Sequence, residues 1–277
     1  GEPTTAHFVG GKIFVGVNTS KSYTEPSGKL VTVDVASRSV VAECEIGGQP
    51  DSVARSADGS FVAIAVENER DEDLNDGALP QMPAGYVVKI ALKDGVADCA
   101  GQQQIDVAGL SQIAGDDPEP EFVDINDAGE IALTLQENNH IVVIGADGKV
   151  ASHFSAGSID LDGIDTKSNG KLDFTSSKKD VAREPDGIKW IDADHFAVAN
   201  EGDWKGGSRS FTIFHKDGTV VYDSGPSLEH AIVEMGHYPE HRSKSKGAEL
   251  ESVEAAVFDG TPMLFVASER ASLIGVY

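Results

Sequence analysis

The chain has 277 residues, 46 of them acidic and 22 basic, for a formal charge of −24 at neutral pH. That length is ample for a large core, and an all-β fold of this size can form one domain. So acidic a surface repels nucleic acid and anionic membrane, which excludes both as partners, and there is no apolar run of 18 residues to span a bilayer.

Helical periodicity is weak along the chain. Apolar residues alternate or form runs of four to six with many β-branched members, which reads as strand. Asp-Gly pairs punctuate these runs at Asp58-Gly59, Asp94-Gly95, Asp147-Gly148, Asp217-Gly218 and Asp259-Gly260, and Asp-Gly favours the turns that match strand twist in a hairpin. Five units follow in order. The first uses 7–9, 13–17, 30–35 and 40–46. The second uses 52–55, 61–66, 86–91 and a weak outer strand near 104–107. The third uses 122–125, 131–135, 141–144 and 150–154. The fourth uses 188–191, 196–199, 210–214 and 220–222. The fifth has 253–258, 264–267 and 273–277 and lacks an outer strand. Units of short antiparallel strands at a period of 65–70 residues predict an all-β fold, a β-propeller of four-stranded antiparallel blades. Residues 1–277 form one propeller domain on this reading. Its ring stays open as the pattern stands, so either more chain follows Tyr277 or closure takes a form the pattern does not display.

Insertions interrupt the period at 67–85, 158–181 and 227–246, and long loops on a rigid scaffold are where function usually sits. The first is acidic, with Glu67, Glu69, Asp71, Glu72, Asp73 and Asp76. The second holds a run from Asp165 to Asp173 that partly resembles an EF-hand loop, although Lys167 and Ser176 replace two expected oxygen ligands. The third predicts a short helix near 228–235, then His237-Tyr238-Pro239-Glu240-His241-Arg242. Cys44 and Cys99 fit either a disulfide in an oxidising compartment or two buried thiols; outer strands of adjacent blades splay apart, which weighs against the bond. Gly1 opens no charged leader with an apolar core, as in a processed mature chain or a cytosolic one.

One pattern organises the units. Asp51, Glu121, Asp186 and Glu251 each open a first strand, spaced by 70, 65 and 65 residues. Glu67, Glu137, Glu201 and Glu269 each close a second strand, 16, 16, 15 and 18 residues later. The first and second strands of a blade are antiparallel, so each pair lies at one end of its blade, and eight carboxylates converge on one mouth. Such crowding raises carboxyl pKa values and opposes folding unless cations, arginines or backbone N–H groups compensate. Hard oxygen ligands at this density suit Ca²⁺, with Mg²⁺ second, and Asp71 and Asp73 could add ligands. The competing reading is that each carboxylate caps backbone N–H groups. Arg183 and Arg270 stand beside the mouth as counter-charges or anion binders, and His237 with Arg242 could hold a phosphate.

The runs Gly47-Gly48-Gln49-Pro50-Asp51-Ser52-Val53 with Glu67-Asn68-Glu69-Arg70-Asp71, Glu119-Pro120-Glu121-Phe122-Val123 with Thr134-Leu135-Gln136-Glu137-Asn138-Asn139, and Arg183-Glu184-Pro185-Asp186-Gly187 with Ala199-Asn200-Glu201-Gly202-Asp203 carry a resemblance. Together they resemble the secreted bacterial propellers grouped as choice-of-anchor I and esterase-like activity of phytase proteins, over nearly the whole chain. The resemblance implies an extracellular or periplasmic, often calcium-associated propeller, and members run beyond the equivalent of Tyr277. It also implies phosphoesterase activity, for which no catalytic motif matches residue by residue. The expected function is a calcium-binding module for a protein partner or a small phosphorylated ligand; the alternative is a metal-dependent phosphoester hydrolase.

Overall fold

The computed structural model describes residues 1–71 and 73–277; Glu72, one of the acids of the first insertion, lies outside the described residues. Strand makes up 47% and helix 7%. The first sheet runs β1 (Glu2–Val9), β2 (Lys12–Asn18), β3 (Gly28–Asp34), β4 (Ser39–Glu45). The second is β5 (Pro50–Arg55), β6 (Phe61–Val66), β7 (Tyr86–Lys93) and β8 (Val96–Ala97), with β9 (Gln103–Ile105) also paired to β7. The third is β10 (Pro120–Ile125), β11 (Ile131–Leu135), β12 (His140–Ile144), β13 (Val150–Ser155). A hairpin of β14 (Ser158–Ile164) and β15 (Ser176–Ala182) follows. The fourth sheet is β16 (Ile188–Trp190), β17 (His195–Ala199), β18 (Phe211–His215), β19 (Val220–Asp223). After helix α1 (Ser227–Glu234), the fifth sheet has three strands, β20 (Leu250–Phe258), β21 (Thr261–Ser268) and β22 (Leu273–Val276).

The Asp-Gly pairs close hairpins in two ways. At Asp94-Gly95 and Asp259-Gly260 both residues have positive φ, the geometry that joins twisted strands most directly. At Asp58, Asp147 and Asp217 the carboxylate instead accepts the backbone N–H two residues on, from Ser60, Lys149 and Thr219 at 2.9, 3.1 and 2.9 Å.

The chain divides into two compact units, Gly1–Asn138 with Val142–Ser152, and Asn139–Ile141 with His153–Tyr277. In the first unit β6 is buried along its whole length. Strand alternation sends Val62, Ile64 and Val66 into a core with Phe14, Leu30 and Cys44, and sends Phe61, Ala63 and Ala65 into another with Val123, Leu133 and Val142. Cys44 and Cys99 are joined, with Cα atoms 5.0 Å apart. Cys99 sits in a 3₁₀ turn after β8 rather than on an outer strand, and that turn reaches β4 despite the splay between blades. In the second unit Ala197, Phe211, Leu250, Val253 and Val266 pack with Leu228 and Ile232 of α1, the helix predicted near 228–235.

The insertion at 158–181 folds as a hairpin where a polar loop was expected. In β14 the buried Leu161 and Ile164 and the half-buried Ile159 lie among exposed and polar residues, and β15 is exposed or half-buried throughout, so no apolar run marks them. It docks on the 227–246 insertion: the Glu240 carboxylate accepts the backbone N–H groups of Asn169 and Gly170, and Phe174 meets Tyr238 edge-on at 4.9 Å.

Candidate functional site

The repeated carboxylates stand at or beside strand ends, and a second buried polar set lies two residues before Asp51, Glu121, Asp186 and Glu251. Gln49, Glu119, Glu184 and Glu249 repeat with the same 70, 65 and 65 spacing and are 9, 5, 2 and 1% exposed. Three backbone N–H groups at this level are capped by asparagines. Asn68 accepts from Gln49 at 3.0 Å, Asn138 from Glu119 at 2.9 Å, and Asn139 from Glu184 at 2.9 Å. Glu184 and Glu249 have φ of +46° and +51°, a left-handed conformation held by their surroundings.

In the first unit this level gathers around Arg70, which is buried. Its Nε donates to Asp117 at 3.0 Å, Nη1 to Glu119 at 2.7 Å and to Glu137, and Nη2 to the Asp117 carbonyl at 2.6 Å. Gln49 Nε2 donates to Glu67 at 3.3 Å and to the exposed Glu69 at 3.2 Å. Burial pushes the Glu67 carboxyl well up, and the negative charges of Asp51, Glu69 and Glu137 add to it. Burial likewise raises Glu119; the Arg70 charge opposes this, and Glu137 and Glu67 reinforce it. Asp51, Glu67 and Glu137 of the predicted set are therefore neighbours. Glu121 is half-buried on β10. Asp71 accepts the Asp73 backbone N–H at 3.0 Å in a local turn, and Asp73 is exposed.

In the second unit Glu201, Glu249 and Glu269 each place an oxygen within 4.8 Å of the others. Glu249 accepts from Arg242 Nε at 2.5 Å and Arg270 Nε at 2.8 Å, and Arg270 Nη1 reaches Glu269 at 2.9 Å. Lys246 lies 2.8 Å from Asp203 and 3.9 Å from Glu201. Burial raises the Glu251 carboxyl, helped by Glu269. Asp186 is buried, and its backbone N–H bonds Ala199. Glu184 takes backbone N–H groups from Asp203, Trp204 and Lys205 at 2.8, 2.9 and 3.0 Å, a nest filled by the chain's own carboxylate.

The predicted anion binders have other partners. Arg183 is buried, donating to Thr212 and Asp223 at 3.0 Å and to the Ala156 carbonyl at 2.7 Å. Arg242 and Arg270 bind Glu249, and His237 is exposed beyond α1. Asp165 takes the N–H groups of Lys167 at 3.0 Å and Asp173 at 3.2 Å, so it closes its own loop.

Sequence reading missed Gln49, Asp117, Glu119, Glu184 and Glu249 as site residues. The shared period could have found four of them. Asp117 carries no repeat signal and reaches Arg70 only through the fold.

The sequence matches the choice-of-anchor I domain over residues 1–206 and 204–277, which together span the chain. The chain belongs to the choice-of-anchor I family. No curated protein matches it. This choice-of-anchor I domain is similar in structure to a streptogramin B lyase, with TM-score 0.54 and 12% identity over 98% of this chain and 67% of that one. It is also similar to Kuenenia stuttgartiensis hydrazine synthase, with TM-score 0.52 and 13% identity over 95% and 55%. A third similar structure is the Dos1 propeller, with TM-score 0.51 and 9% identity over 96% and 50%. The chain thus spans about half to two thirds of the length of these structures. At such identity the likeness shows the fold alone, and that fold is a β-propeller of four-stranded antiparallel blades.

Proposed function

We propose that this choice-of-anchor I propeller is an extracytoplasmic binding module that holds a hard divalent cation, Ca²⁺ or secondarily Mg²⁺, and presents it to a protein partner or a small phosphorylated ligand. The observation that carries this reading is the approach of Glu201, Glu249 and Glu269 within 4.8 Å. Oxygens 2.3–2.6 Å from a shared Ca²⁺ lie no farther apart than roughly 5 Å. Around them Glu201, Asp203, Glu249, Glu251 and Glu269 face Arg242, Lys246 and Arg270, five negative charges against three positive, a balance of −2. A divalent cation would neutralise that remainder. Glu201 is half-buried and Glu269 exposed, so the ion would keep open positions for a ligand. A cell-surface or secreted setting agrees with the family and with the Cys44–Cys99 bond. Phosphoester hydrolysis gains no support, because Arg242 and Arg270 are bound to Glu249.

The test is calcium titration of chelator-treated protein, followed by calorimetry. A ligand at a hundredfold excess over Kd stabilises by about 2.7 kcal/mol, roughly 5–10 °C for a chain of this size. The double variant Glu201→Gln/Glu269→Gln should lose that response, and Glu67→Gln should keep it. A full response in the double variant, or none in the native protein at millimolar Ca²⁺, would overturn the assignment.

A further inference from the structure

Two histidines outside both acidic clusters face each other across the fourth sheet. His195 opens β17, His215 closes β18, and they are direct register partners. The Lys216 N–H bonds the Asp194 carbonyl at 2.8 Å, so the ladder bond falls on the neighbouring pair and 195/215 is a non-hydrogen-bonded pair, where side chains stand closest. The rings meet at 5.3 Å between centroids and 72° between planes. Each Nδ1 lies against a carboxylate from its own turn: His195 at 3.0 Å from both Asp192 oxygens, His215 at 2.9 Å from Asp217 Oδ1. The Asp217 backbone N–H donates to the same Nδ1 at 3.2 Å, so at His215 an accepting Nδ1 competes with one that donates to the Asp217 carboxylate, and metal binding at Nε2 selects the latter. Among the described residues, neither Nε2 has a hydrogen-bond partner. About a third of each side chain reaches solvent, 35 and 34%.

We propose that His195 and His215 form a two-histidine site for a borderline transition ion of the zinc or copper type, bound through the two Nε2 atoms. A carboxylate on the far nitrogen is the usual outer partner of a metal-bound imidazole, because it fixes the tautomer with Nε2 unprotonated and raises ligand basicity. The spacing also fits. An ion about 2.0–2.1 Å from each nitrogen, with a near-tetrahedral angle between them, leaves ring centroids about 5 Å apart. Water completes the coordination. Asp192, Asp194 and Asp217 surround the pair with negative charge, and Lys216 is paired to Asp194 at 3.1 Å. Imidazole selects this class of ion, whereas the all-carboxylate cluster suits Ca²⁺, so the two sites differ in chemistry. The contrast with His140 and His153 is instructive. Those rings also stand 5.3 Å apart, but His140 Nε2 and His153 Nδ1 bond each other directly at 3.1 Å, which leaves no place for an ion between the facing nitrogens.

Zn²⁺ and Cu²⁺ serve as probes, added to chelator-treated protein containing excess Ca²⁺. One equivalent should bind at pH 7.5, with affinity falling at least tenfold in His195→Gln and in His215→Gln and unchanged in His140→Gln. Electron paramagnetic resonance of the copper form should report two imidazole nitrogens in the native protein and one in either variant. In the unmutated protein, Zn²⁺ should shift the Cε1–H resonances of two histidines together at one equivalent. That readout holds even if a variant fails to fold. Binding retained in both single variants, or resonances that do not move together, would overturn the assignment.

Discussion

Replacing Glu67 by Gln should make the protein more stable at pH 8 and leave it no more stable at pH 5. The Glu67 carboxyl is raised by burial first, then by Asp51, Glu69 and Glu137; Arg70 pulls it back, but that guanidinium is already shared by Asp117, Glu119 and Glu137. In the unfolded chain the group ionises near its ordinary value, about 4.3. Between that value and the higher folded one, the native state keeps a proton that the unfolded state has released. Stability from this group is therefore full below about pH 4.3 and declines as pH rises through the folded pKa. Each unit of separation corresponds to about 1.4 kcal/mol, or roughly 3–5 °C in Tm for a chain of this size. Glu119 has the same sign. The carboxylates held down in exposed turns, such as Asp58 and Asp217 at about 2, titrate below this window and do not contribute to it. Gln at 67 keeps the shape and an oxygen for Gln49 Nε2, and it removes the titration. The assay is Tm against pH from 5 to 8 in chelator. His140, lowered to about 4 by burial, acts in the opposite sense below about pH 6.5 and is common to both proteins, so the readout is the difference: the Glu67→Gln Tm should rise relative to native as pH increases and lie above it at the alkaline end. Parallel curves would refute the claim that Glu67 is held in an environment hostile to its charge.

Two further outcomes follow from buried contacts. Arg209, 1% exposed, donates to the carbonyls of Asp165 at 2.9 Å and Ser243 at 2.7 Å and contacts the buried Glu229 at 3.3 Å, so it ties both insertions of the second unit to the fourth sheet; Arg209→Met should cost about 3–5 kcal/mol by denaturant unfolding, and adding Glu229→Leu should recover part of that. Breaking the Cys44–Cys99 bond, which closes 55 residues, should cost about 4 kcal/mol in the chain-entropy model, read as a lower Tm under reductant that the Cys44→Ala/Cys99→Ala variant reproduces without reductant.

The strands were legible because the chain obeys two local rules at once. β6 shows a continuous apolar run, as a strand buried on both faces must, and the Asp-Gly pairs mark where strands reverse. The hairpin of β14 and β15 was not legible, because the alternation of Ile159 and Leu161 with Asp160 and Asp162 is short and β15, Ser176-Ser177-Lys178-Lys179-Asp180-Val181-Ala182, carries no matching apolar alternation. The weak outer strand expected near 104–107 is found as β9, Gln103–Ile105, and Cys99 lies just before it in a 3₁₀ turn that reaches Cys44.

The candidate site divides the same way. Its period is visible in the sequence, and Glu67, Glu137, Glu201 and Glu269 of the eight repeated carboxylates stand in the two clusters, whereas the buried position two residues before Asp51, Glu121, Asp186 and Glu251 is harder to see. The first repeat hides that level, since Gln49 interrupts what is otherwise a run of glutamates at 119, 184 and 249. Its partners are hidden as well, because each blade satisfies this position with a different group at a different sequence distance. Gln49 donates to Glu67 and Glu69, Glu119 takes Arg70, Glu184 takes three backbone N–H groups, and Glu249 takes Arg242 and Arg270. One repeat position is thus buried in each unit, as a neutral amide in the first and as a glutamate balanced by one guanidinium, a nest of amides or two guanidiniums in the others, with a left-handed backbone only at Glu184 and Glu249. The charge left over differs accordingly. It is large beside Arg70, where Asp51, Glu67 and Glu69 add to the three carboxylates it already serves, and smaller beside Glu249. Yet the second location has three converging carboxylate oxygens with Glu269 exposed, while in the first, although Glu69 is exposed, burial drives Glu67 and Glu119 toward their protonated forms. Excess negative charge alone therefore does not decide which cluster suits a cation better. Where water is excluded a proton can relieve it, and where solvent reaches the carboxylates a hydrated cation can.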